Sequence, residues 1–554
     1  MLEVQSSSVK FAPANVCASG QTAPSPCSQT MTLNYNVLSN GVIGAMNVVT
    51  QGAPNLDFTV ASSTCTGSVY AGSTCAVNVT FAPRMPGLRM GAVQLLYTYQ
   101  QIRNVLASTP VYGDGQGPAI AFGLGVQTSL YPYGGISSSA VAVDGAGDVF
   151  IADIGNNRVI EISSSGTVTT VVSGLNFPSS VAVDGAGDLF VVDSGNNQVL
   201  EVPAGGGTVT TLISGLNGPQ GVAVDGAGDV FVADTFNNRV IEIQAGSGAQ
   251  TTAGTGLNNP WGVAVDGVGD VFIADFHNNR VVEVSAGGSQ TTIATELNAP
   301  AGVAVDAAGD VFIADTFNNR ILEVPVGGGA PTTVVSGLYT PYGMALDAAG
   351  DIFIANTSTN NVLEVQRSHP TALSFASTAV GSTTATQSVS VESIGNQPLK
   401  IVALGFGLGG NFEQVDGTGT PADCASGLTL APGASCNLSI SFTPQTAGSL
   451  QSSAQLIDTA LNAAPAFQTI SLSGTATSAY DSAVTVSLSS TQLVYPGAAE
   501  MTVSVAGKNG SAATGSVTVY DGTTPLTTLS LGYGAAYWLI SPGLKAGTHL
   551  LSAS

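Results

Sequence analysis

Residues 141–153 read VAVDGAGDVFIAD, and residues 156–161 continue NNRVIE. Short apolar runs broken by a glycine-rich turn and an Asn-Asn pair predict strands rather than helix. Val141–Val143 reads as an inner strand, Val149–Ala152 as a second and Arg158–Ile162 as a third. Thr167–Val172, rich in β-branched residues, reads as the fourth. The turn from Asp144 to Asp148 is a tight hairpin whose glycines supply positive φ. The block then recurs. Its first aspartate returns at Asp184, Asp225, Asp266, Asp306 and Asp347, at separations of 40, 41, 41, 40 and 41 residues. A period near 40 built from four short strands is the signature of a β-propeller blade.

The repeated segments resemble the NHL repeat family, whose motif runs Pro-x-Gly-Val-Ala-Val-Asp, Gly-Asp-Val-Phe-Val-Ala-Asp, then Asn-x-Arg-Val. The third to fifth copies match it almost throughout, as from Gly302 through Asp306 to Arg320. The resemblance spans about 240 of 554 residues and implies a six-bladed propeller over residues 119–366. Closure is built into the ends. A strand-like segment, Val126–Leu130, precedes the first unit, and the last unit stops at Val362–Val365 without a fourth strand of its own. The early segment is expected to complete that blade, which removes the exposed sheet edges.

Only 8% of the chain is charged, yet the formal net charge is −23. Residues 126–366 hold 17 Asp and 7 Glu against 4 Arg and no Lys, which is 20 of those 23 charges. Each arginine stands five residues after the aspartate that ends a second strand: Asp153 and Arg158, Asp234 and Arg239, Asp275 and Arg280, Asp315 and Arg320. This spacing predicts structural ion pairs. The sixth unit replaces both members, with Asn356 and Asn361, while the second keeps Asp193 opposite Gln198. Some animal members of the resembled family bind RNA through basic faces. A propeller without lysine, its arginines engaged, is expected to bind no nucleic acid. The Asp-Gly-Ala-Gly-Asp turns offer oxygen ligands but lack the closing Glu of a calcium loop, so calcium is not supported and no cofactor is expected.

Loops entering each blade share one face of a propeller with the loops between second and third strands. On that rim the sequence places Tyr131, Tyr133, Phe177, Phe236, Trp261, Phe276, His277, Phe317, Tyr339 and Tyr342, beside asparagines such as Asn217, Asn258, Asn259 and Asn298. Aromatic rings with neighbouring amides suit stacking and hydrogen bonding to a protein, peptide or carbohydrate. Packing between blades is the competing use of the same rings. Related six-bladed propellers include metal-dependent lyases and lactonases with convergent ligands in the central channel. This propeller has one histidine, His277, on a loop, and no nucleophile elbow. The expectation is therefore a non-catalytic binding or scaffold protein, with a metal-dependent propeller enzyme or a plain surface spacer as alternatives.

Residues 1–118 and 367–476 share a second pattern: Cys65, Gly72, Cys75, Phe81-Ala-Pro83 and Gly87 in one, Cys424, Gly433, Cys436, Phe442-Thr-Pro444 and Gly448 in the other. They resemble immunoglobulin-like β-sandwiches of the choice-of-anchor D and ASPM/SPD-2/Hydin types. Residues 477–554, with Gly515–Gly522 and Ala546–His549, resemble an incomplete bacterial Ig-like repeat. The fold class expected is all-β, a six-bladed propeller flanked by these sandwiches. The close pairs Cys17/Cys27, Cys65/Cys75 and Cys424/Cys436 predict disulfides and an oxidising compartment, since no CxxC cluster points to zinc. No run reaches the ~20 apolar residues of a membrane span. Together these features predict a bacterial extracellular or cell-surface protein. No signal peptide is visible at Met1–Val4, and both ends fall in strands, so an incomplete chain is expected.

Overall fold

A computed structural model describes residues 2–4, 8–17, 26–99, 102–123, 125–131, 135–407, 410–417, 419–463, 465–477, 482–489, 499–507, 513, 515–540, 544 and 548–553. Tyr133 lies outside these residues. The chain divides into two compact units, one of Met1–Ser374, Ala385–Ser441 and Gln451–Ser473, the other of Phe375–Thr384, Phe442–Leu450 and Gly474–Ser554.

In the first unit, six four-stranded antiparallel sheets form the blades of a propeller. Blade one consists of Ser138–Val143, Val149–Asp153, Arg158–Ile162 and Val168–Ser173. Each inner strand neighbours the next, and the ring closes where blade six returns to blade one. Val126–Ser129 pairs antiparallel with Asn361–Gln366 and supplies the outer strand that blade six lacks. The second strands are buried along their whole length, which is why they read as near-continuous apolar runs such as Val271–Asp275. The core is a series of wedges between blades: Val159 with Val191, Val240 with Ile273, Ile321 with Ile354, and Ile160 with Phe353 across the closure.

Close packing around the axis depends on small residues. A Cβ added at Gly221, Gly262 or Gly302 would lie 2.2, 2.3 or 2.5 Å from the carbonyl oxygen of Trp261, Ala301 or Tyr342 on the next blade.

Ahead of the propeller, two sheets enclose a core of Phe11, Tyr35, Phe58, Phe81, Leu95 and Val111, with Phe58 and Phe81 stacked at 4.9 Å. The Arg89–Asp57 ion pair at 2.7 Å is buried beside it. Ile120–Phe122, ahead of the propeller strands, pairs with Gln387–Ser393 beyond them, which pairs in turn with Ser435–Phe442. Cys17–Cys27, Cys65–Cys75 and Cys424–Cys436 are disulfide-bonded. In the second unit, Ser482–Leu488, Ala499–Gly507 and Ala535–Ile540 form one sheet, and Thr524–Ser530, Ser516–Asp521 and Leu551–Ala553 another. Met501, Val503, Val517, Val519 and Ala536 are buried in its core. Among the described residues no helix is long and apolar enough to cross a membrane.

Candidate functional site: the open face of the propeller

The repeated carboxylates are consumed in holding loops. Asp275 is fully buried at the end of its strand. Its Oδ1 accepts the Asn258 amide at 2.7 Å, while Oδ2 accepts Asn278 Nδ2 at 2.8 Å and Arg280 Nε at 2.7 Å. Arg158, Arg239 and Arg320 meet Asp153, Asp234 and Asp315 at 2.8 Å each. In blade two, Gln198 Nε2 donates to Asp193 at 2.9 Å, and in blade six Asn356 Oδ1 accepts the Tyr339 amide at 2.7 Å. In each blade the asparagine just before the third strand adopts the left-handed conformation, as at Asn157 with φ 54° and Asn360 with φ 53°. Its Oδ1 accepts an amide of the loop entering the next blade: Asn157 from Phe177, Asn197 from Gly218 and Asn238 from Asn259. Sequence and geometry thus fix one face, loop by loop.

The opposite face is covered. Hairpin turns of blades one to four press on the N-terminal sheets, where a Cβ at Gly185 would fall 2.4–2.7 Å from backbone atoms of Gly91 and one at Gly226 2.6 Å from the Tyr112 ring. Ile394 and Gly433 of the following sheet reach the turns of blades six and five. Each turn aspartate folds its Oδ1 back onto its own backbone, as Asp184 does to the amides of Ala186 and Asp188. Burial lifts Asp184 to about 7 and Asp144, Asp225 and Asp347 to about 6, each raised further by the next aspartate of its own turn.

Carboxyls raised above the ordinary ~3.9 of an unfolded Asp favour the folded state below that value, and the benefit is lost as pH climbs through 6–7. The calorimetric midpoint of the propeller is therefore expected to fall by several degrees from about pH 5 to about pH 8. A midpoint that climbs over this interval would contradict the assignment.

The loop-rich face carries the aromatic residues. Phe177 and Phe236 are 60% and 56% exposed and flank a groove of about 410 Å³ between blades two and three. Ser179, Gln220, Ser194, Asn197 and Asn217 line it. Gln220 Nε2 donates to Ser194 Oγ at 3.1 Å. Phe177 is held at φ +52° immediately before Pro178, a conformation costly for a bulky residue. Blade three places Gly218 there, at φ +56°, where a Cβ would strike the Phe236 ring at 2.5 Å.

Ser179 and Gln220 also line the central channel, a cavity of about 70 Å³. Ser139, Trp261, Ala301 and Tyr342 complete that level of the channel, and among the described residues lining it there is no His, Cys, Asp or Glu.

Across the channel, Trp261 stacks on Phe276 at 4.6 Å and on Tyr342 at 5.6 Å, and Phe317 meets Phe276 edge-on at 6.2 Å. Phe276 is buried in this cluster, whereas Phe317, Tyr339 and His277 are exposed. Tyr131 packs half-buried against the core between blades six and one. The nine described positions of the ten read from the sequence therefore divide: a groove pair, a stacked cluster at the channel mouth, exposed outer rings, and Tyr131 in packing. Ser179 and Gln220 were not among them. Their signal was positional, since they occupy the repeat position of Trp261 and Tyr342.

The NHL repeat model matches residues 175–201, 216–242 and 257–283. The chain carries NHL repeats. No curated protein matches it. Among solved structures, virginiamycin B lyase from Staphylococcus aureus is similar at 15% identity, covering 45% of this chain and 91% of its own, with a TM-score of 0.36. A gluconolactonase from Xanthomonas campestris shares 16% identity over 46% of this chain and 95% of its own, at 0.40. An auxiliary nutrient binding protein from Bacteroides thetaiotaomicron shares 14% over 61% and 95%, at 0.37.

Proposed function

We propose that this protein is a non-catalytic extracellular or cell-surface binding protein, whose open propeller face takes a neutral polar ligand. Residues 119–366 form the binding module; residues 1–118, 367–476 and 477–554 serve as immunoglobulin-like spacers. The observation that carries the reading is the groove between Phe177 and Phe236, lined by Gln220 and Ser179, which also line the channel. Apolar ring faces above amide and hydroxyl groups match the alternating apolar and hydroxylated surface of a saccharide, with a peptide as the second candidate. Trp261, Phe317, Tyr339, Tyr342 and His277 extend the surface around the rim. The acidic, lysine-free propeller disfavours nucleic acid. A channel wall without His or carboxylate offers no ligand set for a channel metal, and no observation favours a lyase or lactonase reading. Three disulfides support an oxidising compartment.

Glycan and peptide arrays probed with the full chain provide the test. Phe177→Ala and Phe236→Ala, both at exposed positions, are each expected to weaken binding about tenfold or more while leaving the melting midpoint in place. Array binders retained in full by both variants would overturn the assignment.

A further inference from the structure

On the covered face, blade five differs from its neighbours. In blades one to four the glutamate of the third strand accepts a threonine hydroxyl from the outer strand: Glu161 from Thr169, Glu201 from Thr210, Glu242 from Thr251 and Glu283 from Thr291. Glu323 of blade five is instead buried, at 7% exposure. Beside it lie Asp310, 1% exposed, and Glu392, 7% exposed, from the strand Gln387–Ser393. One carboxylate oxygen from each of the three lies within 4.8 Å of the other two.

Two of these groups are unsatisfied. Asp310 Oδ1 accepts the Val326 amide at 2.6 Å, but its Oδ2 has no hydrogen-bond donor, and neither has Glu323 Oε1. The equivalent Asp351 has donors on both oxygens, from the Arg367 and Ser368 amides and the Ser368 hydroxyl. Arg367, 1% exposed, is the cation facing the cluster. Its Nη2 bonds Glu392 and stands 3.8 Å from Glu323, and its guanidinium lies 5.2 Å from the Phe312 ring centroid. Its Nε and Nη1 have no acceptor. Asp306, with a further donorless oxygen, adds to the negative charge. Four carboxylates against one guanidinium leave an excess that a buried site does not tolerate unneutralised.

We propose that Asp310, Glu323 and Glu392 bind a hard divalent cation, calcium in the first place, which ties blade five to the sheet that follows the propeller. Calcium takes oxygen ligands at about 2.3–2.6 Å, so two ligands on opposite sides of one ion stand about 4.6–5.2 Å apart. The spacing of the three oxygens fits that limit, and the donorless lone pairs of Asp310 and Glu323 are free to coordinate. An all-oxygen donor set selects calcium or magnesium over zinc or copper. The competing neutraliser is a proton. In the cation's absence, burial and then the Glu392 carboxylate push Glu323 up to about 10, which leaves it protonated at neutral pH.

The test is calorimetric titration of the chelator-stripped full chain with calcium chloride, with the melting midpoint read alongside. The expected result is one calcium site, together with a melting midpoint raised by several degrees at saturation. Glu323→Gln mimics the protonated acid and keeps the fold. It is expected to bind calcium at least about tenfold more weakly. Asp310→Asn is expected to weaken binding similarly. Absence of calcium heat and midpoint shift in the wild type would overturn the proposal and leave the proton as neutraliser. Undiminished binding in both variants would overturn it equally, by placing the ion elsewhere.

Discussion

Asp275→Ala is expected to cost about 3–5 kcal/mol in a urea unfolding titration, because it removes a buried charge that three donors share. The substitution leaves the Asn258 amide without its acceptor, while Asn278 Nδ2 and Arg280 lose the carboxylate and keep only the Gly256 carbonyl at 3.1 Å. Arg280, part-exposed, recovers some solvation, whereas the loop amide does not. Blade six supplies the control. There Asn356 accepts the loop amide with no charge at either position, since Asn361 stands where the arginine would. The double variant Asp275→Asn, Arg280→Asn should therefore recover a good part of the loss. Asp275→Ala within about 1 kcal/mol of the wild type would show that the carboxylate is not a loop anchor.

Gly262→Val is expected to remove about 3 kcal/mol or more from the propeller transition, the upper end of overpacking costs. Its Cβ would lie 2.3 Å from the Ala301 carbonyl oxygen, and backbone cannot rotate aside as a side chain can. The inner strands of blades four and five must separate, which disturbs the Trp261 stack at the same level of the channel. Gly262→Ala should show a smaller loss in the same direction, measured from the shift in denaturation midpoint. Blades one and two carry Ala140 and Ser180 at this position, so the tight approach belongs to blades three to six. Equal tolerance of valine and alanine would mean that the ring is looser than the contact distances require.

Much of this architecture was legible because a repeat writes the same physical requirement several times over. Asp225, Asp266 and Asp306 recur at one period because each hairpin needs an oxygen to receive its own turn amides. The five-residue step from Asp234 to Arg239 was legible because the two ends of adjacent strands pair in register. The fate of individual rings was harder to read. Phe236 and Phe276 appear equivalent beside asparagines, yet Phe236 aligns with the exposed His277 and Phe317. Phe276 instead takes the position of Thr235 and Thr316, which are fully buried and donate to Pro260 and Pro341 carbonyls. Aligning the repeats residue by residue carries that distinction. The cluster around Glu323 has no such signal, because it forms only when Glu392, 69 residues later, is brought against blade five.

The acidic bias of the propeller likewise resolves into position. Its turn carboxylates lie on the covered face and its strand-end carboxylates are buried under the loops, so the charges left on the open face are Glu296 and four part-exposed arginines already paired with those aspartates. That division is the ground for proposing a neutral polar ligand at the open face.

The most direct test of the account is a calorimetric titration of the best array ligand into three proteins: the wild type, Phe177→Ala/Phe236→Ala, and Tyr70→Ala, which alters an exposed ring outside the propeller. The account predicts unchanged affinity for Tyr70→Ala and a loss of about a hundredfold or more for the double variant, with both variants melting as the wild type does. Full affinity in the double variant would contradict it and remove the groove between blades two and three as the binding site.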